Sequence, residues 1–225
     1  MKRLKNRPEA GHLLAAKLQD YAHKSDGLVL GLPRGGVPVA SEIAIALDLP
    51  LDICIVRKIG VPNRKELAMG AIGPGEVMTV NQEIIDNWEI SDSAFQQVVE
   101  QERIELQRRD RLYRGTKSPL NVKNRTVILV DDGIATGSTI LAAIATLRQQ
   151  KPSQIIVAVP VAPRSFCLTL QHQVDRLICL IAPIVFSAIS CWYEDFSQTS
   201  DEEVQTLLTM QKLNSTSSSI SQTTD

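Results

Sequence analysis

Apolar positions in this chain gather into short runs separated by amphipathic stretches. Residues 27–32 (GLVLGL), 51–56 (LDICIV), 126–130 (TVILV), 154–161 (QIIVAVPV) and 176–181 (RLICLI) are nearly unbroken aliphatic segments of strand length. That is the pattern of strands covered on both faces. The intervening stretches have helical spacing: residues 8–24, where Leu13, Leu14, Leu18 and Tyr21 recur and Pro8 suits the first turn, then 37–47, 140–149 and 165–172. Strand and helix alternate, which predicts β-α-β units with right-handed crossovers. The expected fold class is therefore α/β, a doubly wound parallel sheet of Rossmann-like type.

Residues 57–80 break this rhythm. Gly60, Pro62, Gly70, Gly73, Pro74 and Gly75 punctuate them, and Arg57, Lys58, Arg64 and Lys65 make them basic. A mobile basic loop is expected, followed by a hairpin of ELAMGAI and VMTV joined through GPGE. Asn81 suits the cap of a short helix ending near 88. Ser91 or Asp92 opens a charge-rich helix to about 113, with Phe95, Val98, Val99, Leu106 and Leu112 roughly on one face. Two readings of that helix stay open, a solvated helix packing on a sheet edge or the contact face of a homodimer. Ser200 and Glu203 resemble a capping box opening a last helix over 201–213. The Ser/Thr-rich residues 214–225 are expected to be a disordered tail.

Composition narrows the field of functions. Hydrophobic residues make up 44% but aromatics only 4%, so the core must be aliphatic. Lys and Arg total 24 against 25 Asp and Glu, for a formal net charge of -1, which argues against a dedicated nucleic-acid binder with its basic field. Cys54, Cys167, Cys179 and Cys191 form no C-x-x-C pair, and His12, His23 and His172 are scattered. The cysteines read as reduced, buried small hydrophobes, and a structural zinc is not expected. The N-terminal segment is basic without a long apolar stretch, and the nearly apolar residues 177–189 are broken by Pro183. The expectation is a cytoplasmic protein with no membrane partner.

The chemistry concentrates in VILVDDGIATGST, residues 127–139. Asp131 and Asp132 stand at the carboxyl end of a buried strand, where ligands bind in open α/β sheets. A Gly/Thr/Ser turn then enters a helix. Backbone N–H groups of 136–139, at the positive end of the helix dipole, together with the hydroxyls of Thr136, Ser138 and Thr139, form a phosphate cradle. Two carboxylates beside a phosphate site would repel it unless they serve another part of the same ligand. A sugar diol resolves the conflict: each carboxylate accepts a hydroxyl hydrogen bond while the cradle holds a phosphate one carbon away, as ribose 5-phosphate requires. A strand ending in Asp also suits a P-loop NTPase, but the chain has no Gly-Lys dipeptide. It has no G-x-G-x-x-G and no G-x-S-x-G either.

Residues 127–139 resemble the 5-phosphoribosyl-1-pyrophosphate (PRPP) binding motif of type I phosphoribosyltransferases: an aliphatic strand, two acidic residues, then T-G-x-T. The order of elements is similar to that family over 8–212, read as one domain. By this resemblance Asp131 and Asp132 would hold the ribose hydroxyls, and Ala135, Thr136, Gly137, Ser138 and Thr139 would wrap the 5-phosphate. Arg34, Gly35 and Gly36, in Pro33-Arg34-Gly35-Gly36 after the first strand, resemble the family's pyrophosphate loop. Arg57 and Lys58 would open a loop that closes over pyrophosphate. The resemblance also implies Mg²⁺ bridging pyrophosphate and ribose hydroxyls, with Asp131 and Asp132 reaching the metal only through hydroxyls or water. Catalysis would rest on Asp131, Asp132, Arg34 and Lys58.

The family covers its acceptor base with a hood, for which residues 183–196 plus the last helix are the candidate here. Trp192, Tyr193 and Arg164 would contact the base, Trp192 and Tyr193 by stacking. Family members that act on 6-oxopurines usually carry a Lys after the strand following the phosphate loop. This chain has Val161-Ala162-Pro163-Arg164 instead. It is closer to a poorly characterised group sharing R-K…E-L-A-x-G-A-I and W-Y-x-D-F, for which no acceptor base follows. The implied activity is PRPP-dependent transfer of phosphoribose to a small nitrogenous base in nucleotide salvage. The alternative is a non-catalytic sensor of PRPP or nucleotides on the same fold.

Overall fold

The five aliphatic runs become five parallel strands: β1 (Gly27–Gly31), β2 (Leu51–Ile53), β6 (Thr126–Val130), β7 (Gln154–Val161) and β8 (Arg176–Ile181), ordered β2-β1-β6-β7-β8. The computed structural model describes residues 3–220 except 74, 76, 117 and 120; the side chains of 65, 66 and 211–220 lie outside the description. The register aligns Gly31 with Val130 and Val130 with Ala158. Winding runs outward in both directions from the β1–β6 pair, so the topological switch point lies beyond Gly31 and Val130. Leu28, Val29, Ile128, Leu129, Ile156 and Val157 are almost wholly buried, as expected of strands covered on both faces.

Helices α1 (Arg7–Lys17) and α2 (Gly36–Leu47) pack together, α1 against β7 and β8 and α2 against β1, β2 and β6. Beyond α1 the expected helix gives way to a 3₁₀ turn at Gln19–Tyr21. The strand expected over 51–56 ends at Ile53. Helix α6 (Arg164–Leu170) touches β8, and α7 (Asp201–Ile220) lies on α2, with Glu203 N–H capped by Ser200 Oγ at 3.1 Å. Helix α7 runs on through 214–220, where a disordered tail is expected. No Pro or Gly interrupts it, and extending a formed helix costs little compared with nucleating one. Residues 221–225 fall outside the described residues. None of the four cysteines is in a disulfide; Cys54 is buried as expected, Cys167 and Cys179 are half-buried, and Cys191 is exposed because the turn carrying it lies on the surface.

This sheet and its helices form one of two compact units, made of the described residues within 1–53, 122–136 and 152–225. The second comprises those within 54–121 and 137–151. Its three-stranded sheet, order β3-β4-β5, is β3 (Arg57–Val61), β4 (Arg64–Ile72) and β5 (Met78–Val80), all antiparallel. The hairpin expected over β4 and β5 is present. The mobile basic loop expected from residue 57 is instead strand β3, paired with β4 through a turn at Asn63 with φ 61°. Ile59 and Val61 alternate inward at 0% and 2% exposure, and Gly60 takes up the register irregularity between them. Basic residues hid a period-two apolar pattern. Asn81 and Ser91 cap α3 (Gln82–Asn87) and α4 (Asp92–Arg114) as expected. Helix α4 packs on β3 and β4, burying Phe95, Val99 and Leu106, and α5 (Ser138–Gln149) contacts all three strands of this sheet. Among the described residues no helix is long and apolar enough to cross a membrane.

Leu129, fully buried at the centre of β6, gives a direct test of this core. Leu129→Ala is expected to lower stability by about 2–5 kcal/mol, read from the shift of the urea unfolding midpoint.

Candidate functional site

The site grows from the end of β6. The aliphatic run stops at Val130, and Asp131-Asp132 follow where the sheet's backbone pairing gives out. The Leu32 N–H still donates to the Val130 carbonyl at 2.9 Å, and the Gly36 N–H donates back to Leu32 at 3.0 Å. The Pro33-Arg34-Gly35-Gly36 loop, with a cis Pro33–Arg34 peptide, is thereby drawn onto the acidic pair. A Cβ on Gly35 would overlap the Asp132 carboxylate. One on Gly36 would lie 2.7 Å from the Val130 carbonyl oxygen and 2.9 Å from Asp131 Cα. Only glycine permits this approach at either position.

Asp132 is held from the opposite ends of the chain. Arg7, the first residue of α1, donates from Nε to Asp132 Oδ2 at 2.8 Å and from Nη1 to the Ser197 carbonyl at 2.6 Å, and its Nη2 is ion-paired with the same Oδ2 at 2.7 Å. Its guanidinium lies 4.1 Å from the Phe196 ring centroid. The Tyr193 hydroxyl donates to the Asp132 backbone carbonyl at 2.8 Å. Asp131 accepts the Asp132 N–H on Oδ1 at 2.9 Å. Burial, and then the Asp132 charge beside it, push the Asp131 carboxyl well above the usual carboxylate range. Burial also raises Asp132, against the opposing pull of Arg7.

The next residues leave the sheet as the sequence suggests. Gly133 is buried against Ile189, and the Ile134 N–H donates to the Val161 carbonyl at 2.8 Å, which ties the loop to the end of β7. Ala135, Thr136 and Thr139 are exposed, and Ser138 is half-buried. Gly137 takes a left-handed conformation at φ 78° and starts α5 with no side-chain cap. A helix start lies at the positive end of the helix dipole, which favours an anion.

The structure thus gathers Asp131, Asp132, Gly35 and Gly36 at one strand end, with 135–139 following directly along the chain. Arg34 is partly exposed, its Nη1 3.9 Å from Asp201. Arg164 is exposed at the start of α6, its backbone N–H bonded to the Pro183 carbonyl at 2.9 Å. In the hairpin unit, Arg57 Nε donates to Glu102 at 2.6 Å. Lys58 is half-buried beside a groove of about 440 Å³ lined also by Asn63, Gln97 and Gln101. Trp192 is half-buried, with its indole N–H buried and unpartnered.

Tyr193 is a correction. The residue is 2% exposed, packed with Leu4, Ala10 and Phe196, and offers no face to a base; the hydroxyl instead braces the acidic pair. Sequence reading also missed Arg7. One local signal was available, since a cation in a helix's first turn opposes the dipole and needs an anionic partner.

Asp131 and Asp132 supply hard oxygen donors suited to Mg²⁺, but no cluster of three or more His, Cys, Asp or Glu able to hold a metal occurs among the described residues. Two carboxylates are oxygen donors of the kind a hydrated divalent cation accepts through water.

Two outcomes follow from this geometry. Gly35→Ala is expected to cost about 1–3 kcal/mol by overpacking, seen as a lower thermal midpoint. The raised Asp131 carboxyl takes up a proton on folding between its unfolded value of 3.8 and its raised folded value. Stability should therefore fall as pH rises through that window, and Asp131→Asn should flatten the profile and be the more stable protein at neutral pH in urea titrations.

The model of the phosphoribosyl transferase domain matches residues 2–195. Two Mycobacterium tuberculosis proteins, from different strains and each provisionally named a phosphoribosyl transferase, are 40% identical over 208 residues, covering 92% of this chain and 47% of theirs. The chain spans about half the length of these curated relatives. A Thermus thermophilus protein of known crystal structure superposes with a TM-score of 0.82 at 36% identity, covering 92% of this chain and 97% of that one. A parallel sheet ending in a paired carboxylate, a glycine loop closing on it and a match over nearly the whole sheet-forming chain lead to one conclusion: this chain belongs to the phosphoribosyl transferase domain family.

Proposed function

We propose that the chain transfers phosphoribose from PRPP to a small nitrogenous base, with Mg²⁺ and release of pyrophosphate, in nucleotide salvage. The observation that carries this is the acidic pair at the end of β6, approached by the Gly35-Gly36 backbone and followed within a few residues by the uncapped start of α5. Few ligands ask for two carboxylates and a phosphate cradle so close along one chain; a sugar phosphate with a free diol does.

In this reading Asp131 and Asp132 accept the ribose hydroxyls and fix the ring. The backbone of 135–139, with the hydroxyls of Thr136, Ser138 and Thr139, receives the 5-phosphate. The Gly35-Gly36 backbone and the Arg34 guanidinium face the pyrophosphate. Departure of pyrophosphate leaves positive charge on the ring and negative charge on the leaving group, and preorganised donors lower that barrier because they need not reorganise. Magnesium, when bound, would neutralise phosphate charge, held through water and ligand oxygens near Asp131 and Asp132. Arg57 is already neutralised by Glu102, so of the two basic residues that open β3, Lys58 is the better candidate for pyrophosphate. For the base, Trp192 and Arg164 remain, and Tyr193 is withdrawn.

The test is a panel of bases with PRPP and Mg²⁺, monitoring pyrophosphate release. Turnover is expected on at least one base, and Asp132→Asn is expected to reduce it about 100-fold while the far-ultraviolet circular dichroism is unchanged. Lys58→Ala, measured in the same assay, should lower kcat with the fold intact. PRPP binding without turnover on any base would replace this reading by a PRPP or nucleotide sensor. Absence of PRPP binding would overturn both.

A further inference from the structure

We propose that Arg7 is a positioning residue for the sugar-binding carboxylates: it fixes Asp132 by one oxygen so that the other is presented to a ribose hydroxyl. This rests on the phosphoribosyl reading above and adds to it a residue outside the strand-end motif. Both Arg7 contacts with Asp132 fall on Oδ2, at 2.8 and 2.7 Å, so Arg7 does not engage Oδ1. A carboxylate at a strand end can rotate about its own bonds; one held by two nitrogens of a planar guanidinium cannot do so without breaking both contacts.

Arg7 is itself held at the remaining points of its fork. Nη1 donates to the Ser197 carbonyl at 2.6 Å, the face lies on Phe196 at 4.1 Å, and the side chain is only 10% exposed. These partners engage each of its three nitrogens and one face, so it acts through Asp132 and not on the ligand.

The segments that carry the clamp are one piece of structure. Leu4 N–H donates to the Trp192 carbonyl (2.9 Å), Glu194 N–H to Leu4 (2.8 Å) and Asp195 N–H to Lys5 (2.9 Å). The Tyr193 hydroxyl, from the same piece, holds the Asp132 backbone. Side chain and main chain of Asp132 are thus held from two segments joined by hydrogen bonds, an outer layer of support such as precise binding sites need. In this protein the segment expected to cover a base sets the ribose site.

Two probes separate positioning from general stability: ribose 5-phosphate, which carries both diol and phosphate, and inorganic phosphate, which carries only the latter. Binding is measured by calorimetry on the full chain, with circular dichroism and thermal melting as controls. Arg7→Lys keeps the charge but loses the fork, and is expected to weaken ribose 5-phosphate about 10-fold and Arg7→Met about 100-fold, with inorganic phosphate changed by less than about twofold. Should Arg7→Met not fold, Arg7→Lys decides alone. Folded variants that bind ribose 5-phosphate like wild type overturn the proposal, as does an equal loss for both probes. Wild-type protein that does not bind ribose 5-phosphate removes the phosphoribosyl reading itself, a result distinct from either.

Discussion

Two adjacent carboxylates at the end of an aliphatic strand are an electrostatic problem, and the surrounding structure is arranged as its solution. Val130 is fully buried, and Asp132 beyond it is 9% exposed. Removal from water favours the neutral acid for both carboxyls, and the Asp132 charge adds to that effect at Asp131. Arg7 supplies the compensating charge from the N-terminal segment, and Tyr193 braces the backbone. Gly35 and Gly36 contribute the absence of side chains, without which the loop could not approach. Each feature is intelligible only beside the acidic pair.

That arrangement costs stability and yields a site. A raised carboxyl is a group the fold would hold more easily as an amide, and a cation in the first turn of α1 opposes the helix dipole. Local conflicts of this kind gather where function requires them. The remainder of the sheet is free of such conflict: five aliphatic strands in register, with two helices packed side by side against them.

Legibility in the sequence followed the range of the interactions. The parallel strands, the capped starts of α3 and α4 and the capping box of α7 were readable because period, caps and turns are local. Strand β3 was not, since Arg57, Lys58 and Gly60 obscured an alternation of only two buried residues, and pairing with β4 supplied what local propensity lacked. The aromatic residues near 190 misled for a different reason. Scarcity of rings made Tyr193 look like a ligand contact, whereas a large amphipathic side chain with a hydroxyl is equally suited to bracing a buried carbonyl, and only the packing against Leu4 and Phe196 distinguishes the two.

By itself the sequence determined the strand-end motif and the sheet that carries it, and raised the expectation of a diol beside a phosphate, because these depend on residues contiguous in the chain. The tertiary structure alone decided what holds that motif in place. Arg7 and Asp132 lie 125 positions apart, and Tyr193 a further 61 beyond Asp132. No periodicity or spacing couples residues at such distances; they meet because burial leaves a charge and a carbonyl that must find partners, and the fold brings these two within reach.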